Sequence, residues 1–275
     1  MGNLRVVSKD LGPKFWTPPQ NFTVFSRQAL CPVAFGELEH ACHLAPIFFI
    51  KEDDNAETFI PILLLSPIPE QNLFIGPKGE WLVRDLPWAF KAFPFSLGKT
   101  PEGSYVLLID EEYLLDTPNS KAFPLFQEDG NLAPKTAQIA QFLLLREKGY
   151  AQCRELATFL GQIELLTPYS IVLDFGGKKK KIEGLYRLDT QKFSALDDKI
   201  FLELRQNQAL HLIYAHLFSL TNLPYLLNWL EVRQKLASLH QSKVQTKKNT
   251  EPSNFSQVQD LEEILKEIKF PALKS

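Results

Sequence analysis

Residues 169–188 read YSIVLDFGGKKKKIEGLYRL. Tyr169 to Phe175 and Lys181 to Leu188 carry the β-branched and aromatic side chains that suit strands. Gly176-Gly177 between them supplies the two positive-φ positions that a tight hairpin turn demands. The segment therefore predicts two antiparallel strands. The lysines Lys178 to Lys181, just past the turn, read either as a solvated tip that keeps a sheet edge soluble or as a grip for an acidic partner.

The same antiparallel signal stands upstream. Pro46 to Ile50 and Thr58 to Ser66 are apolar runs that flank the polar connection Lys51 to Glu57, which predicts a second hairpin. Asn72 to Gly76 reads as a short strand ending in the turn Gly76-Pro-Lys-Gly79. Tyr105 to Ile109 reads as a buried strand whose end meets solvent at Asp110 and Glu111. Residues 1 to about 45 look irregular, punctuated by Pro13, Pro18, Pro19 and Pro32, and Thr117 to Pro134 reads as loops.

Helices are expected around these strands. From Thr136 to Gly161, the residues Ile139, Phe142, Leu143, Leu145, Leu156, Phe159 and Leu160 recur at three- and four-residue spacings, and Gly149 is a candidate interruption. Asp189 or Thr190 can cap a helical pair over 191–206. Leu210 to Leu220 is apolar throughout; a strand is expected there, with a helix as the alternative. Asn222 to His240 is helical, with Leu226, Leu227, Leu230 and Leu236 as its stripe. The expected fold is one α+β domain over 1–240, with a largely antiparallel sheet packed by a few helices. A polar linker, 241–254, and an appended amphipathic helix, 255–270, follow it. Phe255, Val258, Leu261, Ile264, Leu265 and Ile268 share one face of that helix and form a candidate partner-binding stripe.

Composition narrows the function. With 45% hydrophobic residues, 21 Phe and one Met, the 275-residue chain can bury an aromatic core. A net charge of −2 gives no global field toward nucleic acid or an anionic membrane. No apolar segment approaches the roughly 20 residues of a membrane span. No secretory signal is visible before Lys9 and Asp10, and three cysteines make no even disulfide framework, so a cytoplasmic location is expected. Cys31, His40, Cys42 and His43 are metal-loving side chains, but three of them crowd into four positions, so no metal site is expected. No cofactor is expected either, for lack of a phosphate loop, a nucleophile elbow or a His-Glu-x-x-His helix.

Several short signatures occur in a fixed order: Pro32-Val with Glu37, Pro46-Ile-Phe-Phe49, Asn72-Leu-Phe74, Gly79-x-Trp81, and Leu86-Pro-Trp-Ala-Phe-Lys-Ala-Phe-Pro-Phe95. Ile109-Asp-Glu111, Pro124-Leu-Phe-x-x-Asp-Gly130, Gly184-Leu-Tyr-Arg187 and Ile213-Tyr-Ala-His-Leu-x-Ser219 follow. In that order they resemble the SapC family over residues 31 to about 230. Asp85 stands where the family has an aromatic residue, and Lys91 where it has arginine, which removes a planar fork from that position. The resemblance implies a role in bacterial surface-layer systems. It carries over no active site.

The expected function is thus an accessory or binding protein of a surface-layer or exported-protein pathway, whose partner is a surface or exported protein or its machinery. The rival is a transferase-like enzyme using Glu37, Asp110, Tyr214 and His216, provided that these four converge on one pocket. A helix of about four turns with one apolar stripe is marginal by itself in water. A chain ending at His240 is therefore expected to keep its urea midpoint and to lose a partner contact. A drop in midpoint equivalent to several kcal/mol would instead make the tail part of the core.

Overall fold

Short, strongly apolar strands need a partner on each side, and the chain supplies them by folding back repeatedly. The computed structural model describes residues 2–12, 14–52, 57–175 and 178–247. Strands β1 (Leu4–Val6), β2 (Phe15–Trp16) and β3 (Leu30–Pro32) precede helix α1 (Leu38–Leu44). Next come β4 (Ile47–Lys51), β5 (Phe59–Leu64), helix α2 (Trp88–Lys91), β6 (Phe95–Lys99), β7 (Tyr105–Asp110), β8 (Leu114–Leu115) and β9 (Phe123–Pro124). The long helix α3 (Pro134–Gln162) leads to β10 (Leu166–Phe175) and β11 (Lys178–Leu188). Helices α4 (Thr190–Ser194), α5 (Asp198–Gln206), α6 (Ala209–Ser219) and α7 (Leu223–Lys247) close the described chain.

The main sheet has the order β10-β11-β4-β5-β3, with every neighbouring pair antiparallel. Smaller antiparallel sheets have the orders β1-β7-β6 and β8-β2-β9. The fold is α+β, as the two hairpin signals require. Pro61 sits inside β5, a central strand, yet costs no bond to β4. Its carbonyl accepts the Val33 N–H at 3.2 Å, so its bare nitrogen also faces the side of the short edge strand β3.

Among the described residues, the buried apolar side chains form two clusters. The larger packs Phe48, Phe49, Leu63, Leu73, Leu160, Leu212 and Ile213 around the main sheet. The smaller gathers Trp16, Phe95, Ile109, Leu125 and Leu143 at the start of α3. Trp16 sets its ring edge-on to Phe95 at 4.9 Å and donates its indole N–H to Thr136 Oγ at 3.1 Å. The chain divides into the units Met1–Leu230 and Glu231–Ser275; of the second, the helix up to Lys247 is described.

Five expectations change. Residues 210–220 form helix, not strand: Leu212, Ile213, Ala215, His216 and Ser219 are buried in a helical rhythm. Their exposed counterparts include Tyr214 and Phe218, so the amphipathic signal is missing from the sequence. Gly149 does not interrupt α3. It lies on the buried face, where an added Cβ would come within 2.9 Å of Ala34 Cβ and 3.1 Å of the Phe35 nitrogen. Asn72 to Gly76 makes no strand, only the bridge Ile75↔Trp81 around the expected turn. The first 45 residues hold three strands and a helix, too short for their period to register. Leu145, assigned to the buried stripe of α3, is exposed.

Other readings hold. Asp189 caps α4 by accepting the Gln191 and Lys192 N–H groups. The strands of the 169–188 hairpin pair as far as Phe175↔Lys178, while the turn glycines Gly176 and Gly177 lie outside the described residues. Helix α7 continues past His240 to Lys247, into the expected linker. The rest of that linker and the 255–270 segment also lie outside.

The contact at Gly149 sets a quantitative expectation. Gly149→Val gains helix propensity but drives branched carbons into the Ala34–Phe35 backbone, and overpacking of this kind costs about 1–3 kcal/mol. Gly12→Ala, with open space around its Cβ, should shift stability by less than about 0.5 kcal/mol. Urea melts of the two variants check the difference; a neutral Gly149→Val would refute the close contact.

Candidate functional site

Among the described residues, Glu37, Asp110 and His216 are buried and hydrogen-bonded, whereas the buried hydroxyls of Ser96 and Tyr150 have no hydrogen-bond partner. His216, fully buried on α6, takes the place of a missing rung in the main sheet. Strand β11 pairs with β4 at Tyr186↔Phe49. Two residues further on, the same register would set Leu188 against Ile47. There the imidazole stands between them: Nε2 accepts the Leu188 N–H at 3.1 Å, and Nδ1 lies 2.7 Å from the Ile47 carbonyl oxygen. A carbonyl only accepts, so Nδ1 carries the proton and the ring is neutral. Ser219, one turn later, accepts the Ile47 N–H at 2.8 Å and donates its hydroxyl hydrogen to the His216 carbonyl at 2.6 Å. Burial pushes the His216 pKa down to about 4, with the Ile47 hydrogen bond opposing and the Arg187 charge reinforcing.

Glu37 is the second such group. It ends a 3₁₀ turn, Phe35–Glu37, and one carboxylate oxygen accepts the Ala34 N–H at 3.0 Å. The other accepts the Trp88 N–H at 2.7 Å, at the first residue of α2. Burial raises its pKa, while these two bonds and the charges of Lys91 and Arg146 pull it back. Gly36 beside it leaves room for the Trp88 ring, which an added Cβ would meet at 2.7 Å.

Asp110 corrects an expectation. The exposed end of β7 is its start, Tyr105, and Asp110 is buried. Its carboxylate accepts the Gly2 N–H and the Glu112 N–H, both at 3.2 Å, which caps the turn Glu111–Tyr113. Tyr214 is different again. It is 41% exposed, and its ring stacks near Phe218 at 6.2 Å. Two residues apart on a helix, Tyr214 and His216 point to nearly opposite sides. Among the four sequence candidates, three bind backbone amides in separate places and the fourth faces outward.

Tyr214 faces an open cleft of about 740 Å³ between α1 and α6. Phe35, Leu38, Leu210, Tyr214, Ala215 and Phe218 supply its apolar wall, and Glu39, Cys42, His43 and His211 its polar groups. Phe218 is 62% exposed, and His211 meets Phe35 edge-on at 5.7 Å. Asn222 donates to the carbonyl of Cys42, one of the lining residues, at 2.8 Å. The sequence reading missed this site because it expected 210–220 to be a strand; on a helix, His211, Tyr214 and Phe218 fall on one face at spacings of three and four.

The cysteines and histidines of 31–43 are dispersed. Cys31 is buried in β3 opposite Leu63, Cys42 is buried on α1, and His40 and His43 are exposed. Among the described residues, no three His, Cys, Asp or Glu side chains gather where they could hold a metal ion.

The His216 geometry makes stability depend on pH in a definite direction. The folded pKa, about 4, lies below the unfolded value of 6.5, so between these values the unfolded chain binds a proton that the folded chain refuses. Stability is therefore lost as pH falls through this window, by about 3 kcal/mol in all. Glu37, with its raised pKa, works in the opposite direction. His216→Asn should cost about 1–3 kcal/mol at pH 7 and abolish the His216 part of the slope. Urea midpoints from pH 4 to 7 test this; equal slopes in both proteins would refute it.

Residues 9–226 match the SapC family, a span that contains Glu37, Asp110, both walls of the cleft and the His216–Ser219 lock. The match begins earlier than the signatures suggested. No curated protein and no solved structure matches the chain. With most of its length covered by that one match, the chain belongs to the SapC family.

Proposed function

We propose that this SapC-family protein is an accessory or binding protein of a bacterial surface-layer or exported-protein pathway, acting from the cytosolic side through protein contacts. One observation carries the reading. The buried polar groups Glu37, Asp110 and His216 spend their hydrogen-bonding capacity on backbone amides and carbonyls, whereas large aromatic side chains stand exposed around the α1–α6 cleft. An acid or base whose atoms are already committed has no proton free for a substrate. An exposed Tyr–Phe pair, by contrast, gains about 1.5–3 kcal/mol per ring when a partner covers it.

The partner in this reading is a surface or exported protein, or a component of its export machinery, presenting an apolar segment to the cleft. The apolar positions Phe255, Val258, Leu261, Ile264, Leu265 and Ile268, which recur at helical spacing, are a second contact that we assign to the partner. Among the described residues, no helix is long and apolar enough to cross a membrane.

A pull-down from native lysate, read by mass spectrometry, tests the proposal. The wild-type chain should capture exported or surface-array proteins or their secretion machinery. Tyr214→Asp combined with Phe218→Asp should lose them while changing stability, measured by urea melts, by less than about 0.5 kcal/mol per site, as exposed substitutions do. Unchanged capture by the double variant would remove the cleft from the function. A captured protein released with a covalent group added would replace binding with transfer chemistry.

A further inference from the structure

The α1–α6 cleft carries its charge on one wall and most of its aromatic surface on the other. Glu39 and His43 stand four residues apart on α1, so both fall on one face of that helix, and both line the cleft. His211, Tyr214 and Phe218 line it from α6. Among the described residues that line it, Glu39 supplies the one carboxylate, and no lysine or arginine stands with it. Glu39 is exposed, and among the described residues its carboxylate makes no hydrogen bond or ion pair. One unpaired anion beside open ring faces is a recognition set for a cation.

The rings decide which cation. Tyr214 and Phe218 lie 6.2 Å apart at 23° to each other and together present a broad π surface to solvent. A guanidinium stacks flat on such a surface while its fork still meets a carboxylate, whereas an ammonium has no plane to stack. The cleft therefore favours arginine over lysine. The aromatic row also runs on past the cleft. Phe193 of α4 stands edge-on to Tyr214 at 6.4 Å, and Phe201 of α5 follows at 6.3 Å from Phe193. A volume of about 740 Å³ takes one arginine side chain with apolar residues on either side of it, and the further rings suit those neighbours.

We propose that the cleft recognises an arginine set among apolar residues of the partner protein, with the guanidinium held by Glu39 and laid against Tyr214 and Phe218. This assignment rests on the cleft being a protein-binding surface, and it adds the charge by which that surface selects.

Fluorescence anisotropy on the full chain tests it at about pH 8, where an ordinary imidazole is neutral. The probes are end-blocked nonapeptides, Gly-Ser-Leu-Phe-X-Phe-Leu-Ser-Gly, carrying an uncharged dye, in which X is arginine, lysine or citrulline, the uncharged isostere of arginine. The arginine peptide should bind about tenfold more tightly than the citrulline peptide and at least about threefold more tightly than the lysine peptide. Glu39→Gln should bring arginine and citrulline within about twofold of each other at an unchanged urea midpoint. Tyr214→Ala combined with Phe218→Ala should weaken the arginine peptide by about tenfold or more. Equal affinity of the arginine peptide and either of the others, or a Glu39→Gln variant that still prefers arginine, would overturn the assignment and leave a purely apolar cleft. Binding of none of the three would overturn it too, while the pull-down decides separately whether the cleft has a partner.

Discussion

An imidazole wedged into a sheet holds this protein together. At the point where β4 and β11 should exchange a direct bond between Ile47 and Leu188, the strands part and His216 bonds to both. One ladder bond becomes two, each worth about 1 kcal/mol net and each costly to leave unmade in a dry interior. Ser219 takes the remaining Ile47 donor, so α6 becomes part of the sheet's hydrogen bonding as well as its packing. The β10–β11 hairpin and the cleft face of α6 are thereby positioned by the same ring.

A second joint works by the same logic at the start of α1. Glu37 terminates one turn and starts α2, and Gly149 lets α3 press against the Ala34–Phe35 backbone. Both joints place a polar side chain where backbone groups would otherwise be orphaned. Of the polar residues in the family signatures, Glu37, Asp110 and His216 are buried, and each is engaged with backbone groups.

In the proposed reading, function falls to surfaces. Packing leaves Tyr214 and Phe218 outside because the buried face of α6 is already filled by Leu212, Ile213, Ala215 and His216. Aromatic rings kept in water at such positions are costly unless a partner covers them, and their amphipathic character suits a protein interface.

Much of the architecture was legible in the residues. Alternating and β-branched runs around Gly176-Gly177 and around Lys51–Glu57 specified antiparallel hairpins, and leucine spacing specified α3 and α7, because these signals are local to the backbone. The burial of His216 was legible too, from the apolar residues around it. The cleft was not legible, since its outer wall is made of the very aromatics that gave 210–220 the look of a buried strand. Nor were the roles of Glu37, Asp110 and Gly149: a carboxylate that caps a turn 51 residues away, as Glu37 does at Trp88, looks in sequence like one free for catalysis. Sequence alone determined which segments pair locally and which faces are apolar. Only the tertiary structure decided which polar atoms were consumed by distant backbone groups and which aromatic rings remained outside, because hydrogen-bond satisfaction and packing depend on neighbours that the chain brings together only when folded.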